Sequence, residues 1–161
     1  MRFLGNIEAK LDAKNRVFVP AAFRKVLDNA FFVKADESSQ NRILYLRKDV
    51  YQNCIVVYPA PVWEEELSEL RARLNKWNPQ EQELYRQFML EAEAVEMDPN
   101  GRILISKRLL LKTGIEKNVR FLGVDNTMEI WTKETLEQPR VDPELFKTRM
   151  QELMTKTKIP E

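Results

Sequence analysis

Hydrophobic and polar positions fall into blocks of two different periods. Phe3, Gly5, Ile7, Ala9 and Leu11 alternate with polar neighbours, which predicts a half-buried strand. Arg16-Val17-Phe18-Val19 and Arg102-Ile103-Leu104-Ile105 are short, apolar and largely β-branched, so they predict well-buried strands. Val95 and Met97 alternate about Glu96 as Ala9 and Leu11 do about Lys10. Ile43–Leu46 and Cys54–Tyr58 predict one hairpin, and Val119–Val124 with Met128–Trp131 a second, turning at Asp125-Asn126. Ala30–Val33 predicts a strand or a covered loop, and Asp36–Arg42 a polar linker.

The helical blocks are punctuated by their ends. Pro20 suits a first helical position and Ser106 an N-cap, predicting short helices over Ala21–Leu27 and Lys107–Lys112, with Gly114 stopping the second. From Pro61, the residues Trp63, Leu67, Leu70, Leu74 and Trp77 recur at alternating four- and three-residue steps, a seam for another helix. Asn78-Pro79 breaks that helix, and Leu84, Tyr85, Phe88 and Met89 mark the next. The pair predicts an αα-hairpin packed on itself, with part of the seam available to another subunit. Its aromatic stripe reads as packing, not as a cofactor box. A last helix starts near Asp142-Pro143 and carries Leu145, Phe146, Arg149, Met150 and Leu153, before a tail that frays.

The blocks also repeat. LDAKNRVFVPAAFRKVL, Leu11–Leu27, is written again as MDPNGRILISKRLLLKT, Met97–Thr113, at one constant offset: Asp12 to Asp98, Arg16 to Arg102, Val19 to Ile105, Phe23 to Leu109. A repeat of this kind predicts a fold with two halves on one plan. The expected units are 1–60 and 92–140, with a helical hairpin over 61–91 between them and a helix and tail over 141–161.

Each copy holds a tight turn. In Asp98-Pro99-Asn100-Gly101, Asp can accept from backbone amides further on, Pro presets its own φ, and Gly takes the left-handed residue. Asp12-Ala13-Lys14-Asn15 fits the same turn, with Asn as the next-best left-handed residue. Asp98 and Gly101 are therefore structural turn residues. Arg16 and Arg102, four residues after each Asp, either clamp the hairpin through an ion pair or meet a partner while Asp fixes the loop. Both readings stand on sequence.

Composition narrows the chemistry. The 161 residues are 43% hydrophobic and 32% charged, with net charge +1, which describes a soluble globular chain of one ordinary domain or two small fused repeats. No run is long and apolar enough to span a bilayer, and no signal peptide is read at the start. The single cysteine, Cys54, rules out an internal disulfide and reads as a small buried hydrophobe, consistent with an intracellular chain. There is no histidine and no Gly-rich phosphate loop, and one cysteine cannot build a zinc site, so neither a metal nor a cofactor is expected. Asp12 and Asp98 could be imagined as a dyad, but each has an Arg that would hold it ionised. No active site is visible, and neither an enzyme nor a small-molecule substrate is expected.

Charge is segregated. Arg2, Lys10, Lys14, Arg16, Arg24, Lys25 and Lys34 outnumber Glu8, Asp12 and Asp28 in the first copy's region. Arg102, Lys107, Arg108, Lys112, Lys117 and Arg120 outnumber Asp98 and Glu116 in the second. This is either a polyanion-binding face or ordinary solvation.

The blocks LDAKNRVFVPAAFRK, CIVVYPAPVWEEEL, MDPNGRILISKRLL and MEIWTKETLE together resemble the MraZ family of bacterial transcriptional regulators over nearly the whole chain. The resemblance implies an α+β fold: two pseudo-symmetric AbrB-like swapped-hairpin repeats in a small β-barrel core flanked by helices. It implies ring-shaped homo-oligomers in the cytoplasm at the nucleoid, with no membrane partner, repressing their own division and cell-wall operon by binding direct repeats in double-stranded DNA. The D-x-x-x-R loops are the implied contacts, Asp12 through Arg16 first and Asp98 through Arg102, with Asn100, second; on general contact chemistry Arg16 is expected to read bases with Lys14 and Asn15 assisting, and Lys10 and Arg24 to hold phosphates. The family has Gly where Asn15 stands and Pro where Ser106 stands, and Phe31–Arg42 is longer than its pattern. A ring that meets an acidic protein instead of DNA is the alternative.

Overall fold

In a computed structural model the described residues are 2–32, 42–138 and 140–157. The element order is β1 (Phe3–Lys10), β2 (Arg16–Phe18), α1 (Ala21–Val26), β3 (Ile43–Lys48), β4 (Ile55–Pro59), α2 (Ala60–Arg73), α3 (Pro79–Leu90), β5 (Glu93–Glu96), β6 (Arg102–Leu104), α4 (Lys107–Thr113), β7 (Asn118–Asp125), β8 (Thr127–Trp131), α5 (Lys133–Leu136) and α6 (Pro143–Thr155). All ladders are antiparallel. A six-stranded sheet runs β1-β7-β8-β4-β3-β5, and β2 pairs β6 in a separate two-stranded ladder.

The arrangement is symmetric about the β8·β4 pair, where Ile55 faces Ile130 and Val57 faces Met128. β1 of the first half lies on β7 of the second, and β5 of the second lies on β3 of the first. The two expected hairpins, β3–β4 and β7–β8, form, whereas β1 and β2 share a tip but their ladders go to different partners in the other half. Exchange of this kind gives every apolar alternation a partner, which neither half has alone. The edge strands β1 and β5 do not pair with each other, so the hydrogen-bonded sheet described here stays open. The β2·β6 ladder covers its inner face instead. Val17, Val19, Ile103 and Ile105 are at most 1% exposed and share one core with Phe3, Leu44, Leu46, Ile55, Phe121 and Ile130.

The caps follow the sequence closely. Ser106 Oγ accepts from Leu109 N at 3.2 Å, Asn78 Oδ1 accepts from Gln80 N and Glu81 N, and Gly114 closes α4 at φ 71°. Pro20 is the residue before α1, not its first turn, and Asp142 makes no side-chain cap. Ala30 and Phe31 continue α1 as a π-helical turn, Leu27–Phe31, where a strand or loop was expected. Val33 and 36–41 lie outside the described residues.

The helical hairpin also differs from expectation. Trp63 stacks between Tyr45 of β3 and Phe88 of α3, with ring centroids 5.3 and 5.7 Å away, and Tyr58 meets its edge. The first part of the seam, Val62, Trp63 and Leu67, thus packs on the outer sheet face, along with Tyr85 and Phe88. Leu84 and Trp77 face solvent. The sheet wins because it offers two flat aromatic rings to an indole, and α3 then completes the stack instead of zipping along α2. Arg47 lies under the Phe88 ring at 4.0 Å and donates to Lys48 O; burial pushes its pKa down. No helix among the described residues is long and apolar enough to cross a membrane.

Candidate nucleic-acid interface

The doubled turn forms the same clamp twice. In the first tip, Asp12 Oδ1 accepts from Lys14 N and Arg16 N at 2.9 Å each, and Asp12 Oδ2 accepts from Arg16 Nε at 3.0 Å. In the second, Asp98 Oδ1 accepts from Asn100 N and Arg102 N at 2.9 Å each, and Asp98 Oδ2 accepts from Arg102 Nε at 2.9 Å. Backbone bonds close both tips: Asp12 N to Arg16 O and Asn15 N to Asp12 O, matched by Asp98 N to Arg102 O and Gly101 N to Asp98 O. Asn15 at φ 62° and Gly101 at φ 88° hold the left-handed position, as the turn sequences predict.

One carboxylate thus satisfies two loop amides with one oxygen and orients a guanidinium with the other. Both Asp12 and Asp98 are held below the usual carboxylate range. The first cause is the hydrogen bond from the Arg16 amide for Asp12 and the Arg102 amide for Asp98; the guanidinium comes after it. The charge of the Arg alone, which the sequence suggests, is therefore the smaller part of the reason.

The β2·β6 ladder brings the tips together. Its register sets Arg16 against Leu104 and Phe18 against Arg102. The ladder is extended at both ends by matched bonds, Val19 N to Gly101 O and Ile105 N to Asn15 O, both 2.9 Å. Arg102 Nη1 then lies 3.9 Å from Asp12 Oδ2, so Asp98, Arg102, Asp12 and Arg16 form a string of alternating charge across both tips. Arg102 is also held 5.7 Å from the centroid of the Phe18 ring. Among the described residues nothing accepts from Arg16 Nη1 or Nη2.

Lys10 ends β1 and is exposed, Lys14 and Asn100 are exposed at their tips, and Asn15 is half-buried. Arg24 is half-buried on α1. Its side chain lies over Gly101, with Cδ 2.5 Å from where a Cβ would stand, and its Nε is buried with no hydrogen-bond partner among the described residues. The repeat alone does not reveal this contact or the Arg102–Asp12 approach, because both cross between copies. Of the other paired bases, Arg108 is taken up by Glu93 at 2.8 Å and Glu91 at 3.8 Å, and Lys112 by Glu91. Ser106 Oγ donates to the same Glu93, which ties α4 to the start of β5.

The MraZ protein family profile matches residues 2–87 and 88–140. The chain belongs to the MraZ family. It is similar to the transcriptional regulator MraZ of Bacteroides fragilis, 53% identical over 154 residues, covering 96% of this chain and 92% of the relative. The Bacteroides thetaiotaomicron protein of the same name is 51% identical, with 96% and 93% covered. That of Yersinia pestis is 32% identical over 136 residues, with 84% and 83% covered. MraZ proteins are named as transcriptional regulators, not as enzymes.

Proposed function

We propose that this chain is a sequence-specific DNA-binding transcriptional regulator that represses its own division and cell-wall operon as a homo-oligomeric ring. The relatives' shared name supports the DNA-binding regulator in general. The observation that carries the reading is the first tip. Asp12 takes the Nε of Arg16 and leaves both Nη groups without an acceptor among the described residues, and such a pair is the fork a guanine O6/N7 edge accepts. Lys14 and Asn15 stand beside that fork, and Lys10 flanks it for a phosphate.

Oligomerisation follows from the energetics. One bidentate Arg–guanine contact is worth about 1–3 kcal/mol, less than the roughly 4 kcal/mol of a millimolar complex. Several tips linked in one assembly and matched to direct repeats multiply such contacts. The exposed apolar side chains of α6, Leu145, Phe146, Met150 and Leu153, together with Leu4 and Leu111, are consistent with copies covering one another.

The test is Arg16→Ala in a gel shift with upstream DNA from the chain's own operon against random DNA. Preference for the operator is lost while the elution volume on a sizing column stays that of the wild type. A variant that binds its repeats as the wild type does removes Arg16 from the interface.

A further inference from the structure

The two tips are equal in their clamps and unequal in their flanks. β1 ends at Lys10, opposite Asn118, whereas its counterpart β5 ends at Glu96, opposite Ile43. The first tip carries Lys14 where the second has Asn100. Leu11 N donates to Lys117 O at 2.8 Å; in the other half the matching bond runs from Met97 N to the carbonyl of Arg42, whose side chain is tied to Asp28 at 3.1 Å. The helix after β8 begins at Lys133, and the helix after β4 begins at Ala60. Lys10, Lys14, Lys117 and Lys133 are all exposed, and none forms an ion pair with a described residue.

Two of these lysines line one concavity. A cleft of about 410 Å³ opens between β1, β7 and α5, and Lys10, Asn118, Arg120 and Lys133 are among the residues that line it, with Ala9 and Val119. Glu8 and Glu134 also line it. Arg120 donates to Glu8 at 2.8 Å, which takes up that carboxylate. On the other half, the matching outer face is filled by Trp63 and Phe88. Among the described residues, this cleft therefore lies on the first tip's side of the sheet and is filled on the other.

We propose that this cleft is a backbone-binding site for double-stranded DNA, in which Lys133, with Lys117 next in the chain to the lining Asn118, joins Lys10 and Lys14 in holding phosphates on either side of the base-reading tip. Each subunit grips the duplex at its first tip, and the second tip serves to brace it. The inference rests on the DNA-binding reading above and assigns two residues that the loop motif does not contain. Such contacts carry affinity and salt dependence but no sequence preference.

The experiment compares wild type, Lys117→Ala/Lys133→Ala and a control, Lys76→Ala in the exposed loop between α2 and α3, titrating fluorescent operator and random duplexes over a series of salt concentrations. The double variant loses affinity for both duplexes by a similar factor and keeps the wild-type preference for the operator. Its slope of log affinity against log salt becomes shallower by about 0.9 per lost phosphate contact in each engaged subunit. The control keeps both slope and affinity. Lys133→Glu, read in the same way, weakens binding further than Lys133→Ala, and circular dichroism verifies that each variant is folded. A double variant with wild-type slope, in a protein that still prefers its operator, overturns this site and leaves the Arg16 reading intact. A wild type with no preference for the operator overturns both.

Discussion

The two tips share a backbone and differ in what leans on it. In the first, Asn15 occupies the left-handed position at φ 62° with its own side chain. In the second, Gly101 occupies it at φ 88°, and the space a side chain would fill belongs to Arg24 of the first half. Arg102 is held between Asp98, Asp12 and the Phe18 ring, while among the described residues Arg16 has Asp12 alone. The repeated sequence thus gives both tips one clamp, and contacts between the copies hold the second more closely while its Pro99 and Asn100 stay exposed. The lesson is that the same five-residue motif can be presented or built in, and that neighbours decide which.

The largest effect on stability comes from Gly101→Ala. The backbone must hold a left-handed residue, about 1–2 kcal/mol, and Arg24 must leave its place, since its Cδ stands 2.5 Å from the new Cβ. Urea denaturation of Gly101→Ala alone and in an Arg24→Ala background separates the two costs. The penalty shrinks toward the backbone part once Arg24 is truncated. Equal penalties in both backgrounds would mean that Arg24 exerts no pressure on the second tip, and the comparison would lose its main support.

The clamping carboxylates sharpen the same contrast. Asp12→Ala frees the amides of Lys14 and Arg16 and disorients Arg16, so operator affinity falls more than the melting temperature does. Asp98→Ala frees the amides of Asn100 and Arg102 in the less exposed tip, so the melting temperature falls more than the affinity. Thermal unfolding and the gel shift on both variants give the two orders. Identical profiles for the two would mean that the tips do the same work.

Much of this was legible in the residues. Asp, a turn and Arg at one spacing, written twice, specify both clamps, because every bond in them is local to five residues. The cap at Ser106 was legible for the same reason. The partners of β1 and β5 were not, because an alternating strand specifies which face is apolar and not which strand it meets. The helical seam misled over Leu84 and Trp77, since periodicity marks a sticky face without saying whether a helix or an aromatic sheet face takes it. At the site, Lys10, Asp12, Lys14, Asn15 and Arg16 fall on one tip as read. Arg24 crosses to the other copy's tip, which no local pattern encodes.

The smallest effect concerns pH, and its sign follows from the clamps. Asp12 and Asp98 have native pKa values below the ordinary Asp value of about 3.9. Their contribution is therefore complete above that value and is lost as pH falls through the lowered native values. The chain has no histidine, and burial pushes the Cys54 thiol and the Tyr58 hydroxyl up, away from neutrality. Operator affinity at fixed ionic strength thus stays flat between about pH 6 and 8, and unfolding sets in only on the acid side of about pH 4. Asp12→Asn/Asp98→Asn blunts that acid limb, because neither position then titrates. If affinity instead moved severalfold across neutrality, a group outside both clamps would be gating the interface, and the claim that two carboxylates alone hold the tips would have to be given up.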